Sequence, residues 1–305
     1  MKKFRYLIWV FFGLVVFLLG WGLIEPYVID TEEEIATIPN LPEIWSGERV
    51  AQISDFQLGM WWDNDPTIRR IVDDLIEENP AAVLISGDFI YHATPNPEKE
   101  INRAVNLLRP LTKAGIPTYA VLGNHDYGMR QLNSQPKEDL AANLEAALAE
   151  IGVDVLQNEA ILLPPPENTN QANSAPLYLV GVGAYLAENS QPEKALADLP
   201  ETSPRIVMMH NPNSFAAFPA NTAPLAIAGH THGGQIRVPF TPEWSWVTLK
   251  REKLEHIDGW AEDYGASGNQ LYVNRGIGFS DLPIRFNCPP EVTFFTLMSE
   301  EEVGS

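Results

Sequence analysis

The apolar and polar positions divide the chain into an N-terminal apolar stretch and a longer region of mixed periodicity. Residues 6–24 contain no charged side chain, and a helix rising about 1.5 Å per residue spans the roughly 30 Å hydrocarbon core of a bilayer over this length. The stretch has no polar face, which disfavours a buried core helix, and no small-residue cleavage site follows it, which disfavours a cleaved signal peptide. The pattern predicts one uncleaved transmembrane helix.

Beyond residue 48, short apolar runs alternate with amphipathic stretches. Eight runs are predicted to be strands, at residues 49–54, 81–86, 117–122, 177–182, 204–209, 224–228, 271–274 and 292–297. Three stretches with apolar residues at helical spacing are predicted to be helices, at residues 66–79, 98–114 and 136–151. Nearly continuous apolar strands that alternate with helices indicate an α/β fold, with a parallel or mixed sheet covered by helices.

The charges around the apolar stretch predict its orientation and the limits of the domains. Lys2, Lys3 and Arg5 precede the stretch, whereas the next cation is Arg49. The N-terminus is therefore expected in the cytoplasm and the remainder of the chain outside. We divide the chain into a cytoplasmic tip and anchor (residues 1–24), an acidic tether (25–48), a globular domain (49–299) and a tail (300–305).

The composition narrows the range of functions. The formal net charge is −20, and a surface of this sign repels phosphate backbones, which excludes nucleic-acid binding proteins from the expected classes. Cys288 is the single cysteine, so neither an intrachain disulfide nor a zinc site built from several thiolates can form. The sequence gives no indication of the oligomeric state.

Polar residues that can ligate metals follow five of the predicted strands. Asp55 and Gln57 follow the first strand, and Asp88 follows the second. The remaining positions follow later strands: Asn124, His125 and Asp126, then His210, and finally His230 and His232. Sites in open α/β sheets form beyond the carboxyl ends of the strands, so these donors are expected at one rim. Such a set suits two divalent cations about 3.5–4 Å apart, which together activate water against a phosphate ester.

These blocks resemble the signature motifs of a known family. Their order and spacing are similar to those of the calcineurin-like metallophosphoesterases, in the segments Asp55-Phe56-Gln57, Gly87-Asp88, Gly123-Asn124-His125-Asp126, His210 and Gly229-His230-Thr231-His232. Residues 274–278, 282–286 and 290–291 are similar to a membrane-associated, mainly bacterial branch, which includes enzymes acting on lipid-linked phosphates. The resemblance extends over about residues 49–297. It implies a four-layer sandwich, with two mixed β-sheets flanked by helices, after the transmembrane helix.

The resemblance also implies a role for each position. The first metal would be held by Asp55, Gln57 and His232, and Asp88 would bridge to a second metal held by Asn124, His210 and His230. His125 would contact the phosphate or protonate the leaving group. Asn124 would also contact the substrate. Asp126 would orient a neighbouring imidazole.

Three features of the sequence leave alternatives open. The family usually has histidine at the position of Gln57, so this residue is either a hard, weak ligand that favours Mn²⁺ or Mg²⁺, or a simple turn residue. Arg275 and Arg285 either hold the phosphate or pair with some of the many acids. Trp61 and Trp62 follow the Asp55 loop and either pack in the core or line the substrate mouth.

The resemblance predicts a metal-dependent phosphoric ester hydrolase. It would use two divalent ions (Mn, Fe, Zn or Mg) to hydrolyse a phosphomonoester, a phosphodiester or a pyrophosphate, with a lipid-linked substrate as one candidate. The alternative is a catalytically inactive, membrane-anchored binding protein that retains the fold. This alternative would require a missing bridging or histidine ligand, and the sequence lacks none of them.

Overall fold

The computed structural model describes residues 2–62, 64–91, 95–130, 134–166, 176–239, 241–245 and 257–300. Residues 301–305 of the predicted tail therefore lie outside the described part. The helices are α1 (Lys2–Ile24), α2 (Asp65–Glu78), α3 (Pro97–Lys113), α4 (Glu138–Ala149) and α5 (Pro192–Leu196).

The strands agree with the apolar runs of the sequence and add several short ones. They are β1 (Asp30–Ile38), β2 (Arg49–Ile53), β3 (Ala82–Ile85), β4 (Thr118–Ala120), β5 (Val153–Val155), β6 (Glu159–Leu162), β7 (Tyr178–Gly181), β8 (Arg205–Met208), β9 (Leu225–Ala228), β10 (Arg237–Val238), β11 (Thr241–Ser245), β12 (Gly259–Trp260), β13 (Leu271–Val273) and β14 (Glu291–Ser299). Every predicted strand and helix is present, with ends displaced by at most two residues, except that α1 begins four residues before the predicted apolar stretch.

Twelve of the strands form two six-stranded mixed sheets that face each other, and β10 and β11 form a separate two-stranded sheet. The first sheet has the order β1-β14-β2-β3-β4-β5, and the second has the order β12-β13-β9-β8-β7-β6. In the first sheet β2 to β5 run parallel and β14 runs antiparallel to β2; in the second, β13, β9, β8 and β7 run parallel between two antiparallel edge strands. The predicted α/β fold with two mixed sheets is confirmed.

Alternating side chains of each strand separate the core into layers. In β2, Val50 packs between the two sheets, whereas Ala51 packs in the cluster between the first sheet and helices α2, α3 and α4. The same alternation places Leu84 of β3 between the sheets and Ile85 under the helices. A third cluster, with α5 and a short 3₁₀ segment around Phe215, covers the outer face of the second sheet. The result is the four-layer sandwich predicted from the sequence.

Local signals explain where the helices begin and end. The helix α2 has Pro66 in its first turn and ends at Asn79, whose backbone adopts a left-handed conformation with φ 46°. Helix α3 begins after Asn96, whose side chain accepts a hydrogen bond from the N–H of Lys99. These boundaries set the loops that lead into and out of the strands carrying the candidate ligands.

The segment expected to be a tether is part of the first sheet, which corrects the sequence-based interpretation. Strand β1 pairs in parallel with β14 over nine residues, from Asp30 opposite Glu291 to Ile38 opposite Ser299. Ile38 and Trp45 are fully or almost fully buried between the sheets. β1 is an edge strand, and edge strands carry charges that discourage further pairing. The acids of β1 made the segment look like a solvated linker in the sequence.

The N-terminal helix is long and apolar enough to cross a membrane. Within its candidate span, Lys3–Tyr27, an 18-residue window has a mean hydropathy of 2.6, and 6% of this window is buried against the rest of the chain. An apolar surface of this size is unfavourable in water and favourable in a bilayer. By length and composition, this helix meets the requirements of a membrane span.

Candidate metal centre

The carboxyl ends of five strands from both sheets meet at one edge of the sandwich. Strands β2, β3 and β4 of the first sheet lead into the segments with Asp55, Asp88 and Asn124. Strands β8 and β9 of the second sheet lead into the segments with His210 and His230. The buried Gln52 links the sheets beneath this edge, because its Nε2 donates to Ser86 Oγ at 2.8 Å and to the carbonyl oxygen of Ala228 at 2.9 Å.

The backbone at this edge is strained. Asp55, Asp88 and His232 have φ of 55°, 57° and 51°, in the left-handed region that non-glycine residues rarely occupy. Gln57 and His230 share this conformation, with φ of 54° and 75°. Each such residue costs on the order of 1–3 kcal/mol, and this kind of strain concentrates at functional sites.

Two glycines allow the ligand segments to approach one another closely. A Cβ at Gly123 would collide with the carboxylate of Asp88, and a Cβ at Gly229 would collide with Ser54 and with Asp55 Oδ2 at 2.6 Å. The Gly-Asn and Gly-His pairs of the sequence therefore have a steric basis, because only glycine leaves room for the neighbouring acid.

Asp88, His210 and His230 form a first ligand cluster. His210 Nε2 lies 3.2 Å from Asp88 Oδ2 and 3.2 Å from His230 Nδ1, and one ligand atom from each residue lies within 4.8 Å of the others. All three side chains are buried. Imidazole nitrogen and carboxylate oxygen at this spacing are the donors that first-row divalent cations prefer.

Asp55, Gln57 and His232 form a second cluster beside the first. His232 Nε2 lies 3.5 Å from Asp55 Oδ1 and 3.2 Å from Gln57 Nε2. Gln57 Nε2 also donates to Asp88 Oδ2 at 2.9 Å. Asp88 therefore contacts members of both clusters, through the same carboxylate oxygen that faces His210.

Orphaned buried atoms show that the second cluster fits a cation. Asp55 Oδ1 and Gln57 Oε1 are buried and have no hydrogen-bond partner, whereas Asp55 Oδ2 accepts from Ser54 Oγ at 2.6 Å and from the N–H of His230 at 3.0 Å. A buried carboxylate oxygen without a partner is costly, and a divalent cation removes that cost. The residues present thus suit a metal at this position.

The protonation behaviour of the histidines follows from burial and from Asp88. Burial lowers the pKa of His232 to about 4, so this imidazole is neutral, which is the form that binds metals. Burial also opposes charge on His210, but the adjacent Asp88 carboxylate outweighs it and raises the pKa of His210 to about 9. Despite its own burial, Asp88 has a pKa held well below the usual range by His210 and His125. Either a proton on His210 or a metal cation would compensate the buried negative charge of Asp88.

Asn124, His125 and Asp126 lie in the turn that approaches Asp88. The N–H of His125 donates to Asp88 Oδ1 at 2.8 Å. Asn124 is buried, and its Nδ2 donates to the carbonyl oxygen of Met129 at 3.3 Å. Asp126 accepts from the N–H groups of Asp88 (2.9 Å), Gly123 (2.8 Å) and Ile90 (3.1 Å). Asp126 therefore holds the backbone of the turns that carry Asp88 and Asn124. It was expected to orient a neighbouring imidazole, but its hydrogen bonds go to these backbone N–H groups instead.

Sequence reasoning missed two residues beside His125. The ring of Tyr91 stacks on the imidazole of His125, with centroids 4.9 Å apart and planes inclined by 27°. The exposed Arg130 lies over the ring of Tyr91, with its guanidinium carbon 5.0 Å from the ring centroid and Nη2 3.2 Å from the hydroxyl oxygen. The sequence signal that could have identified Arg130 is its charge, because it is a cation five positions after His125 in a chain with few cations.

Arg275 and Arg285 are committed to other partners. Arg275 forms ion pairs with Asp30, Glu32 and Glu291 at 2.8–2.9 Å. Arg285 is fully buried and donates to carbonyl oxygens, including that of Gly278 at 2.9 Å and that of Cys288 at 3.1 Å. Of the two alternatives left open by the sequence, the structure favours pairing and loop support over phosphate binding.

Comparison with known proteins agrees with this geometry. Residues 48–234 match the family described as calcineurin-like phosphoesterase, a range that contains every candidate metal ligand and excludes Arg275 and Arg285. The chain is 30% identical to the phosphodiesterase YaeI of Escherichia coli, over 73% of this chain and 72% of that protein.

Two further relatives cover most of the chain. It is 26% identical to an uncharacterized metallophosphoesterase, YkuE of Bacillus subtilis, over 92% of this chain and 90% of that protein. It is 27% identical to the UDP-2,3-diacylglucosamine pyrophosphatase LpxG of Chlamydia trachomatis, over 86% of this chain and 88% of that protein. The chain belongs to the calcineurin-like phosphoesterase family and is a metal-dependent phosphoester hydrolase.

Proposed function

We propose that this protein hydrolyses a phosphomonoester, phosphodiester or pyrophosphate at a two-metal centre outside the cytoplasm. The observation that carries the proposal is the position of Asp88. Its Oδ2 is 3.2 Å from His210 Nε2 in one ligand cluster and 2.9 Å from Gln57 Nε2 in the other. A carboxylate shared by two ligand sets is what a pair of cations requires, because it holds both ions against the same substrate.

Seven side chains are proposed as metal ligands. Asp55, Gln57 and His232 would hold one divalent ion, Asn124, His210 and His230 would hold the other, and Asp88 would contact both. When bound, the ions would neutralise phosphoryl oxygens and acidify the attacking water. The donors are oxygen and imidazole nitrogen, a mixture that suits Mn, Fe, Zn or Mg.

His125 and Arg130 are proposed to contact the substrate. The backbone N–H of His125 donates to Asp88, and its imidazole stacks on Tyr91. Burial lowers the pKa of this imidazole, so its protonated form would be a stronger acid toward the leaving-group oxygen. The exposed guanidinium of Arg130, one ring away, would pair with an anionic phosphate. We propose this phosphate contact for Arg130 rather than for Arg275 or Arg285, because the guanidinium groups of those two residues already have buried partners.

The relatives and the anchor suggest the class of substrate. YaeI is named a phosphodiesterase and LpxG a pyrophosphatase acting on a lipid-bearing nucleotide. Lys2, Lys3 and Arg5 favour a catalytic domain outside the cytoplasm. An extracytoplasmic, amphiphilic phosphoester agrees with both observations.

The experiment that tests the proposal combines metal content with turnover. The full chain, purified in detergent, should contain close to two divalent ions per molecule and should hydrolyse members of a panel of phosphate mono- and diesters. Asp88→Asn should lower turnover by more than the roughly 10–100-fold that loss of an outer-shell partner costs, and should also lower the metal content.

Asp74→Asn is the matched control, because Asp74 lies on the surface of α2 and carries a half-exposed carboxylate. It should leave both measurements unchanged. An Asp88→Asn protein with wild-type turnover and metal content would exclude Asp88 from the metal centre and remove the basis of the proposal.

A further inference from the structure

The end of the membrane helix is fixed to the catalytic domain. The carbonyl oxygen of Gly22 accepts a hydrogen bond from the N–H of Arg285 at 3.1 Å, and a Cβ at Gly22 would lie 2.7 Å from Ile284 Cγ2. The buried carboxylate of Glu25 accepts from the N–H of Asn287 at 3.0 Å and from that of Cys288 at 2.5 Å. The helix thus leaves the fold at a defined point, which sets the position of the bilayer relative to the domain.

This attachment lies next to the candidate metal centre. Cys288 Sγ is 3.3 Å from the carbonyl oxygens of His232 and Gly233. In the same loop, the N–H of Gly278 donates to the carbonyl oxygen of Asp55 at 2.7 Å. The loop that holds the helix end is therefore the loop that supports two of the proposed ligands, and the metal-bearing edge of the sandwich faces the membrane side.

Exposed apolar side chains lie beside the helix end. Trp62 Nε1 donates to the hydroxyl of Tyr27 at 2.7 Å, three residues after the helix α1 ends. Trp61 and Trp62 are 69% and 46% exposed, and Leu282, two residues from Ile284, is 37% exposed. Met60 and Phe279 pack together below, which joins the tryptophan segment to the Leu282 segment. We call Trp61, Trp62 and Leu282 the tryptophan rim.

The dimensions place the tryptophan rim at the membrane surface. Helix α1 has 23 residues, so it is about 34 Å long, close to the roughly 30 Å thickness of the hydrocarbon core. Its last turn therefore lies near the boundary with the headgroup layer. Tryptophan favours that layer, because its ring is amphipathic and its N–H needs a polar partner.

We propose that the tryptophan rim is a second membrane contact, which holds the catalytic mouth against the headgroup layer. The occupant of this surface is the bilayer that contains α1. A phosphoester embedded in that bilayer would reach the metals while its apolar part remains in the membrane. The substrate class in this inference, phosphoesters with a membrane-embedded tail, rests on the proposed function. The membrane contact itself does not depend on that function.

The chemistry of the surface predicts the lipid it prefers. The rim contains aromatic and aliphatic side chains and no cation, and the whole chain carries a net charge of −20. Attraction to anionic lipids requires clustered Lys or Arg, so insertion here is driven by apolar burial. Contact should therefore occur in purely zwitterionic membranes.

A fluorescent probe tests the contact. The full-length Trp61→Cys chain is labelled with a polarity-sensitive fluorophore and placed in phosphatidylcholine nanodiscs with acyl chains brominated near the headgroup. We expect a blue-shifted emission and at least about twofold quenching. Wild-type protein controls for labelling of Cys288, which is fully buried.

Leu162→Cys is the matched control. Leu162 is 57% exposed and pairs with Tyr178 at the start of β7, at the opposite end of the sandwich from the carboxyl ends of β8 and β9. Its label should retain a polar environment and escape quenching. Equal, weak quenching of the two labels would overturn the proposed contact.

A kinetic arm tests the substrate class separately. Ethyl and hexadecyl p-nitrophenyl phosphate have the same leaving group, but only the hexadecyl ester inserts into the nanodisc. The Trp61→Ser/Trp62→Ser double variant should hydrolyse the ethyl ester at the wild-type rate and the hexadecyl ester at least about fivefold more slowly, with Leu162→Ser unchanged on both.

The possible failures are distinguishable. A wild-type protein inactive on both esters, on phosphomonoesters and on pyrophosphates would contradict the proposed function, whereas the quenching result would still decide the contact. Equal loss on both esters, or no loss on either, would overturn the role of the rim in substrate access while leaving the phosphoesterase proposal intact.

Discussion

Gln57 is the single residue at which this chain departs from the ligand pattern of the family it resembles. Its Nε2 faces Asp88 Oδ2 and His232 Nε2, while its Oε1 is buried without a partner. A half-turn of the carboxamide exchanges the two atoms and presents an oxygen to the same point. We therefore propose Gln57 as a neutral oxygen ligand, because the alternative of a simple turn residue would leave its buried oxygen unexplained.

Substitution of Gln57 should change the choice of metal. Gln57→His supplies a stronger donor to borderline ions, so it should increase retention of Zn²⁺ or Fe²⁺ through desalting and shift the activating metal away from Mn²⁺. Gln57→Ala should raise the metal concentration for half-maximal rate by at least about tenfold. Metal analysis and metal titration of the rate measure both effects. The exposed Gln191→Ala serves as control, and wild-type behaviour of both Gln57 variants would show that Gln57 is not a ligand.

Arg130 offers a test of the substrate contact proposed for it. Arg130→Gln should lower kcat/KM by about tenfold, mainly through KM, because it removes a charge-assisted contact of roughly 1.4 kcal/mol with the phosphate. Arg130→Lys should recover part of the loss. The control is Arg70→Gln, since Arg70 is a similarly exposed arginine on α2. A fall in kcat at constant KM would indicate instead that Arg130 positions Tyr91 and His125.

At the scale of elements, the largest difference between expectation and structure is β1. Its first half carries Asp30 and the acids 32–34, whereas its second half carries Ala36 and Ile38, which are buried between the sheets. Arg275 from the other end of the chain pairs with Asp30 and Glu32, and so neutralises part of this charge. The strand is recognisable only when its partner β14 and this arginine are known.

The two isoleucines of β1 provide a matched test of its place in the fold. Ile38 is fully buried, and Ile38→Ala should lower the free energy of unfolding by ~2–5 kcal/mol. Ile35 is 65% exposed on the same strand, and Ile35→Ala should change it by less than about 0.5 kcal/mol. Urea denaturation in detergent, followed by tryptophan fluorescence, gives both values. Equally small effects would return residues 30–38 to the role of a tether.

At the scale of the whole molecule, the acidic domain and the cationic N-terminus are separated by the apolar helix. The three cations lie in the first turn of α1, and the acids of β1 begin beyond its other end. This asymmetry favours retention of the tip in the cytoplasm. From this asymmetry we expect the proposed catalytic centre on the outer face of the membrane.

A reporter fusion tests this orientation. An enzyme that is active only outside the cytoplasm, fused after Ser305, should be active because Lys2, Lys3 and Arg5 hold the N-terminus inside. Changing these three residues to Gln should reduce reporter activity at equal expression. An inactive fusion of the unchanged chain would reverse the orientation and point to a cytoplasmic substrate.

The sequence by itself determined eight of the fourteen described strands, the main helices and the residues that gather at one edge. It could do so because apolar periodicity and ligand motifs are local patterns, and because parallel strands bring their carboxyl ends to one side. Asp55, Asp88, His210, His230 and His232 could be grouped in this way without coordinates.

Only the tertiary structure decided which partners surround β1, Asp126, Arg130, Arg275 and Arg285. Each depends on partners far away in sequence: Arg275 meets Asp30 across 245 positions, and Cys288 meets Glu25 across 263. An arginine that binds phosphate and one that supports a loop have the same local sequence signal. Whether a cation faces solvent or a buried carbonyl oxygen is fixed by packing, because burial determines which polar partners each group must find.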